Sequence, residues 1–204
     1  MARPATNRIL ARRLLSRGAI KRTFELREAG VHPATLARME ADGEILRLGR
    51  GLYQASGAQI TAEHDLAEAA LRAPTGVICL VSALAFHGLT DRLPSKVWIA
   101  IGAKDHAPPP QYRLKIVRFN ERLLMQGVES HTIEGVRVRV FDVAKTIADC
   151  FRHRSAVGLN LALEGMETAL RDRKTTPAKL AKAFAEGRVA TVARPYLEAL
   201  SAHG

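Results

Sequence analysis

Glycine divides the first fifty residues into pieces too short for a long helix or a wide sheet. Gly18, Gly30 and Gly43 each follow a segment with apolar residues at helical spacing, and Gly49 and Gly51 bracket a single arginine. A glycine just past the last periodic residue is a helix stop. The spacing therefore predicts helices over 6–17, over 20–29, and from Pro33 to Gly43. Ile9, Leu10 and Leu14 set the period in the first, with Arg13 beside them, and Ile20, Phe24 and Leu26 set it in the second. Pro33 suits a first helical position, where its missing N–H would have no partner anyway. Leu36 and Met39 then form an i, i+3 stripe. The break between the second and third helices is short and holds a glycine, as in a helix-turn-helix. Next comes "ILRLGRGLY" (45–53), with Leu46 and Leu48 on one face and Ile45 and Arg47 on the other. A hairpin with a three-residue Gly49-Arg50-Gly51 loop is expected, Gly51 taking the left-handed position. Three helices and a hairpin give the order of a winged helix-turn-helix, assigned to residues 1–57.

The small, polar "QASGAQIT" (54–61) reads as a linker into a second domain over 58–204. A helix is predicted over 62–73. The apolar run 77–88 is a strand, a helix, or a strand turning into a helix near Ser82. Strands are expected at "KVWIAIG" (96–102) and "LKIVRF" (114–119), and a hairpin over 129–142 about Glu134 and Gly135. From Asp142, a sound N-cap, the pattern turns helical over 143–152, 157–171, 177–186 and 190–201. The fold class is α+β: an N-terminal winged helix-turn-helix, then a C-terminal domain with a small mixed or antiparallel sheet and a helical final part.

Charge decides the partner class. The 204 residues hold 31 Lys and Arg against 20 Asp and Glu, a formal net charge of +11, which attracts polyanions. No run approaches the roughly 18–20 apolar residues of a spanning helix. The N-terminal "RILARRLLSRGAIKR" interleaves arginine with leucine where a signal peptide needs an unbroken apolar stretch. A cytoplasmic protein without membrane partners is expected. Cys79 and Cys150 lie far apart inside apolar runs and read as small buried hydrophobes.

Catalytic patterns are missing from the sequence. There is no G-x-x-x-x-G-K-[ST] loop, and "KVWIAIG" offers no acid for a nuclease metal. Asp105 and His106 lack companions for a zinc site, and no nucleophile stands with a base. His87, just before Gly88, is expected to cap a helix end. No enzyme activity, cofactor or metal is expected. A ligand sensor is the other reading of the second domain, and RNA binding is disfavoured by the lack of stacking aromatics.

The third helix sets out the candidate interface. On a wheel of about 100° per residue, Leu36, Met39 and Glu40 face the core. Ala34, Arg38, Ala41 and Asp42 lie opposite, with Thr35 flanking. Thr35 can bond phosphate or base, Ala34 can touch a thymine methyl, and Arg38 can grip guanine O6 and N7. Arg47 and Arg50 place charge along and at the end of the hairpin, against a phosphate or a narrow minor groove. Tyr53 is expected to anchor the hairpin to the helices. Arg12, Arg13, Arg17, Lys21 and Arg22 supply further charge for the DNA backbone. Solvation of an open face is the plainer reading of each. In the second domain Lys115, Arg118, Arg122, Arg137 and Arg139 form a basic set. Arg137 and Arg139 alternate with Val136, Val138 and Val140, so this strand face is either simply solvated or an extended DNA or toxin contact.

Two stretches, "AIKRTFELREAGVHPATLARMEADGEILRLGRGLY" and "VSALAFHGLTDRLPSKVWIAI", resemble the AbiEi family, antitoxins of bacterial type IV toxin–antitoxin systems. The resemblance runs from about residue 8 to 200. Its sharpest parts are the "RLGRGLY" wing and "SALAFHGLTD" (82–91). It implies a winged helix-turn-helix that represses the family's own promoter, bound as double-stranded DNA, with inverted repeats expected there. It also implies an antitoxin domain that neutralises a nucleotidyltransferase-like toxin. By this resemblance Thr35, Arg38, Arg47 and Arg50 fall on the DNA-contacting helix and wing. Two alternatives stay open: direct action on the toxin through protein contact, and a solitary regulator with no toxin.

Overall fold

The computed structural model of the chain describes residues 4–58, 61–109 and 112–202. The fold is α+β and divides into two compact units, residues 1–68 with 132–137, and residues 69–131 with 138–204. Residue 57, the expected end of the first domain, lies inside the first unit.

The first unit runs α1 (Pro4–Leu14), β1 (Lys21–Arg22), α2 (Thr23–Glu28), α3 (Pro33–Ala41), β2 (Ile45–Gly49), β3 (Leu52–Ala55) and the start of α4 (His64–Arg72). Its antiparallel sheet has the order β1-β3-β2. The second helix starts at Thr23 and not at residue 20, because Lys21 and Arg22 pair as a strand with Tyr53 and Leu52. Ala11, Leu15, Leu26, Val31, Leu36, Met39, Ile45 and Tyr53 make the core, so Tyr53 does anchor the hairpin. Two expected core residues turn outward: Ile9 is 65% and Phe24 58% exposed. On α1 the buried stripe is Asn7 and Ala11, continued by Leu15 just past its end, a pattern that begins with a polar and a small residue and that a count of large apolar side chains passes over.

The hairpin is tighter than expected. Gly49 pairs with Leu52, leaving a two-residue turn, Arg50 and Gly51, and a bulge absorbs the extra residue between Arg47 and Gly49. Gly51 takes φ +72° as anticipated. Ile45 is the buried member of the strand, while Leu46 is 49% exposed.

In the second unit α4 leads to β4 (Val77–Ile78), α5 (Leu80–Phe86), β5 (Val97–Gly102), β6 (Leu114–Phe119), α6 (Glu121–Met125), β7 (Val128–Ile133) and β8 (Val136–Phe141). Five helices close the chain: α7 (Val143–Arg152), α8 (Arg154–Val157), α9 (Leu159–Arg171), α10 (Pro177–Glu186) and α11 (Ala190–Ala202). The sheet is mixed, in the order β6-β5-β4-β8-β7. β4 runs antiparallel to β5 and parallel to β8, and β5 runs parallel to β6. The apolar run 77–88 turns from strand to helix at Cys79 and Leu80, the latter at φ +49°. Ser82 is buried inside the helix, accepting the Trp98 N–H at 2.9 Å. The helix expected over 157–171 is α9, which starts at Leu159 because Gly158, at φ +95°, separates it from the short α8. Phe141, Phe151, Phe184, Leu84 and Met166 fill the core. Within it α7 carries a charged pair, Lys145 Nζ and Asp149 Oδ2 at 2.5 Å.

Residues 132–137 complete the first unit. Glu134 and Gly135 take φ +50° and +72°, the two left-handed residues of a type I′ turn. The Glu134 side chain is 2% exposed and accepts four donors. They are Thr61 N–H (2.9 Å), Thr61 Oγ1 (3.2 Å), Gln54 Nε2 (3.3 Å) and His64 Nδ1 (2.7 Å).

Candidate nucleic-acid interface

α3 is positioned at its start. His32 precedes it as N-cap, its Nδ1 accepting the Ala34 N–H at 3.2 Å, which satisfies one of the amides a helix start leaves open. Gly30, at φ +95°, makes the turn from α2. Leu36 and Met39 then bury one side, leaving Ala34, Ala37, Arg38 and Ala41 exposed on the other and Thr35 half-buried between. The outward face thus carries one long side chain, Arg38, among methyl groups.

The turn of the β2–β3 hairpin is fixed from below. Thr23 N–H donates to the Gly51 carbonyl at 2.8 Å, joining the turn to the start of α2. A Cβ on Gly51 would stand 3.3 Å from Thr23 Oγ1, at a φ that L-residues rarely adopt. Gly51→Ala should cost about 1 kcal/mol, through the left-handed strain above all. Denaturant unfolding monitored by circular dichroism tests this expectation.

Pairing sorts the basic residues of this unit, Arg8 beside the expected contacts, into two groups. Arg8 bonds both Asp42 and Glu44, and Arg12 Nε lies 2.8 Å from Glu44 Oε2. Arg12 first and Arg8 second hold the Glu44 carboxyl down at about 2. Lys21 Nζ stands 3.8 Å from Glu25, whose carboxylate also accepts the Arg22 N–H at 2.6 Å. Arg47 reaches back to the Gly49 carbonyl at 3.4 Å. By contrast Arg13, Arg38 and Arg50 are exposed and have no side-chain partner among the described residues. Arg27 on α2, absent from the sequence-derived set, shares that condition. The Arg17 side chain lies outside the described residues. Two positions escaped the sequence reading, although His32 directly before Pro33 and Glu44 directly after Gly43 both sit at helix boundaries, where capping and charge pairing concentrate.

The basic set of the second domain is not gathered on one face. Lys115 and Arg118 sit three residues apart on β6 and so point to opposite sides of the sheet, while β5 and β4 separate β6 from β8. Lys115 Nζ lies over the Trp98 ring, 3.6 Å from its centroid. Arg118 Nη1 donates to the carbonyls of Gly102, Ala103 and Asp105 at 3.1, 2.8 and 3.0 Å. Arg139 donates to the Thr75 carbonyl at 2.9 Å. Arg137 falls in the first unit and is exposed, as is Arg122 in the second. His87 ends α5 as expected and bonds the Phe141 carbonyl through Nε2 at 2.7 Å; burial moves its pKa downward. Asp105 accepts the Gly102 N–H and the Thr75 hydroxyl, a turn-forming role.

No helix among the described residues is long and apolar enough to cross a membrane. No curated protein matches the chain. Over residues 22–56, from the end of β1 through β3, the chain matches the family described as "Transcriptional regulator, AbiEi antitoxin", and the resemblance read from its sequence is borne out there.

Proposed function

We propose that the chain is a sequence-specific transcriptional repressor that binds double-stranded DNA through residues 1–57, a winged helix-turn-helix. In this reading α3 enters the major groove, where Arg38 meets a guanine edge and Ala34 a thymine methyl, with Thr35 on base or phosphate. The β2–β3 hairpin is the wing, and Arg50 at its tip lies against the backbone or in the minor groove. One observation carries the reading: Arg38 and Arg50 keep their charge uncompensated while Arg8, Arg12 and Lys21 are matched by acids of the same unit. An unmatched guanidinium on an outward face is free to meet an anion without first breaking an ion pair. The order β1-β3-β2 behind three short helices and the AbiEi match support the same assignment. By the same analogy the protein represses its own promoter in the cytoplasm, and residues 58–204 form the antitoxin-like domain that faces a nucleotidyltransferase-like toxin.

Fluorescence anisotropy on the upstream DNA, over a salt series, tests this. Affinity should fall steeply with salt. Arg38→Ala is expected to lose about 1–3 kcal/mol on the specific site and little on a random duplex. Arg50→Ala should weaken both and lower the salt slope by about one. Arg12→Ala should change little, since Glu44 already matches its charge. Wild-type binding by both Arg38→Ala and Arg50→Ala would show the interface to be elsewhere.

A further inference from the structure

A cleft of about 350 Å³ lies within the second unit, between the start of α7 and the α9–α10 loop with the flank of α10. Lys174, Thr175, Lys179 and Lys182 line one side; Gln126 and Lys145 stand across from them. We infer that this cleft binds the terminal phosphoryl group of a small metabolite, held by Lys174, Thr175 and Lys179.

Charge bookkeeping within the cleft identifies the anion. Glu186 lies 3.9 Å from Lys182, while Asp142 caps α7 by accepting the Lys145 N–H and Glu129 lies 3.5 Å from His131. Lys145 is bound to Asp149. Two cations remain. Lys174 Nζ donates to the carbonyls of His87 and Gly88 at 2.6 and 3.1 Å, neutral partners that fix the ammonium and leave its charge unmatched. Lys179 has no side-chain partner among the described residues. Both stand at the start of α10, whose dipole favours an anion. Pro177 has no N–H and Thr176 Oγ1 already accepts the Lys179 amide, so the helix lends field more than donors.

The donor comes from Thr175. It is 7% exposed, and its buried Oγ1 has no hydrogen-bond partner, a condition that native structures rarely leave unexplained. Gln126 Oε1, on the facing wall, is a second buried atom without a partner. With that amide turned over, its Nε2 takes this place and becomes a donor. Two lysines without an acid partner, with two orphan polar groups just beneath the same concave surface, suit a compact dianion better than an extended phosphodiester, whose phosphates each carry a single charge.

Calorimetric titration of the full chain with inorganic pyrophosphate and inorganic phosphate tests the assignment. The wild type should bind both, pyrophosphate more tightly. Thr175→Val removes one hydroxyl at constant shape and should weaken binding roughly tenfold, the loss of a hydrogen bond to a charged group. Its thermal midpoint should hold or rise, because the hydroxyl it removes is unsatisfied. Lys179→Ala, on an exposed side chain that no fold contact needs, should weaken binding at least as much, and Lys104→Ala, outside the cleft, should not. Absence of binding to either anion at about 10 mM, a range where any useful site would show, overturns the proposal. So does equal affinity in wild type, Thr175→Val and Lys179→Ala. Displacement of pyrophosphate by a short DNA duplex in the wild type would assign the cleft to nucleic acid and overturn the small-molecule reading.

Discussion

Glu134→Ala is expected to destabilise the first unit by about 3 kcal/mol, the range for removing one partner of a buried charged cluster. The carboxylate serves Gln54, His64 and both donors of Thr61. Truncation removes an acceptor from all of them at once; Gln54 keeps its bond to the Gly18 carbonyl at 2.8 Å, but Thr61 and the part-buried His64 lose theirs. Glu134→Gln keeps one acceptor oxygen and should lose less. Burial by itself would raise the Glu134 pKa, but the Thr61 amide and His64 outweigh it and hold it below the ordinary 4.5. A depressed carboxyl contributes stability that is present above its unfolded pKa and fades as pH falls through the folded one. The gap between wild type and Glu134→Ala should therefore narrow below about pH 4.5. Amide exchange at Ile20 and Thr61 reports on the first unit, and the fluorescence of Trp98, the single tryptophan, reports on the second. An unchanged exchange rate at Ile20 would show that the cluster contributes nothing.

The second large effect belongs to α7. Lys145→Met should cost the second unit about 3–5 kcal/mol, because it leaves the Asp149 carboxylate fully buried without its ammonium. The double variant Lys145→Met, Asp149→Leu should recover most of that loss, since two apolar side chains suit a site already walled by Phe119 and Phe141. Burial lifts the Asp149 pKa to about 6 against the pull of Lys145. The sign is opposite to that of Glu134. A carboxyl whose folded pKa is raised holds its proton longer in the folded chain, so stability is greatest below the unfolded value of 3.8 and declines as pH rises to about 6. Asp149→Asn lacks this decline. Trp98 unfolding curves of both proteins between pH 4 and 7 should diverge accordingly, and parallel curves would place the titration elsewhere.

Local chemistry explains which elements were readable. β6, α7 and α10 fall where the sequence put them because their ends are written in adjacent residues: Asp142 before α7, Thr176 and Pro177 before α10. The start of α2 was not readable, since Lys21 and Arg22 become a strand only through pairing with residues some thirty positions away. Leu80 at φ +49° shows the same limit: nothing about a leucine announces a left-handed residue between strand and helix. The candidate interface divides similarly. That Arg38 faces out follows from the Leu36 and Met39 stripe, and that Arg50 sits at a tip follows from its flanking glycines. That Arg12 is matched by Glu44, or that Arg118 and Arg139 hold backbone carbonyls, depends on contacts across the fold, and a count of positive residues credits them all alike.

The first unit is built from two separate stretches of chain, and that fixes the timetable of its biosynthesis. A ribosome adding roughly 5–20 residues per second releases residues 1–68 several seconds before residues 132–137 follow. During that interval the three short helices and their hairpin exist without the acceptor for Thr61 and His64. The segment that matches the AbiEi regulator family thus matures only after well over half of the polypeptide has been made, so the nascent chain completes its first unit late.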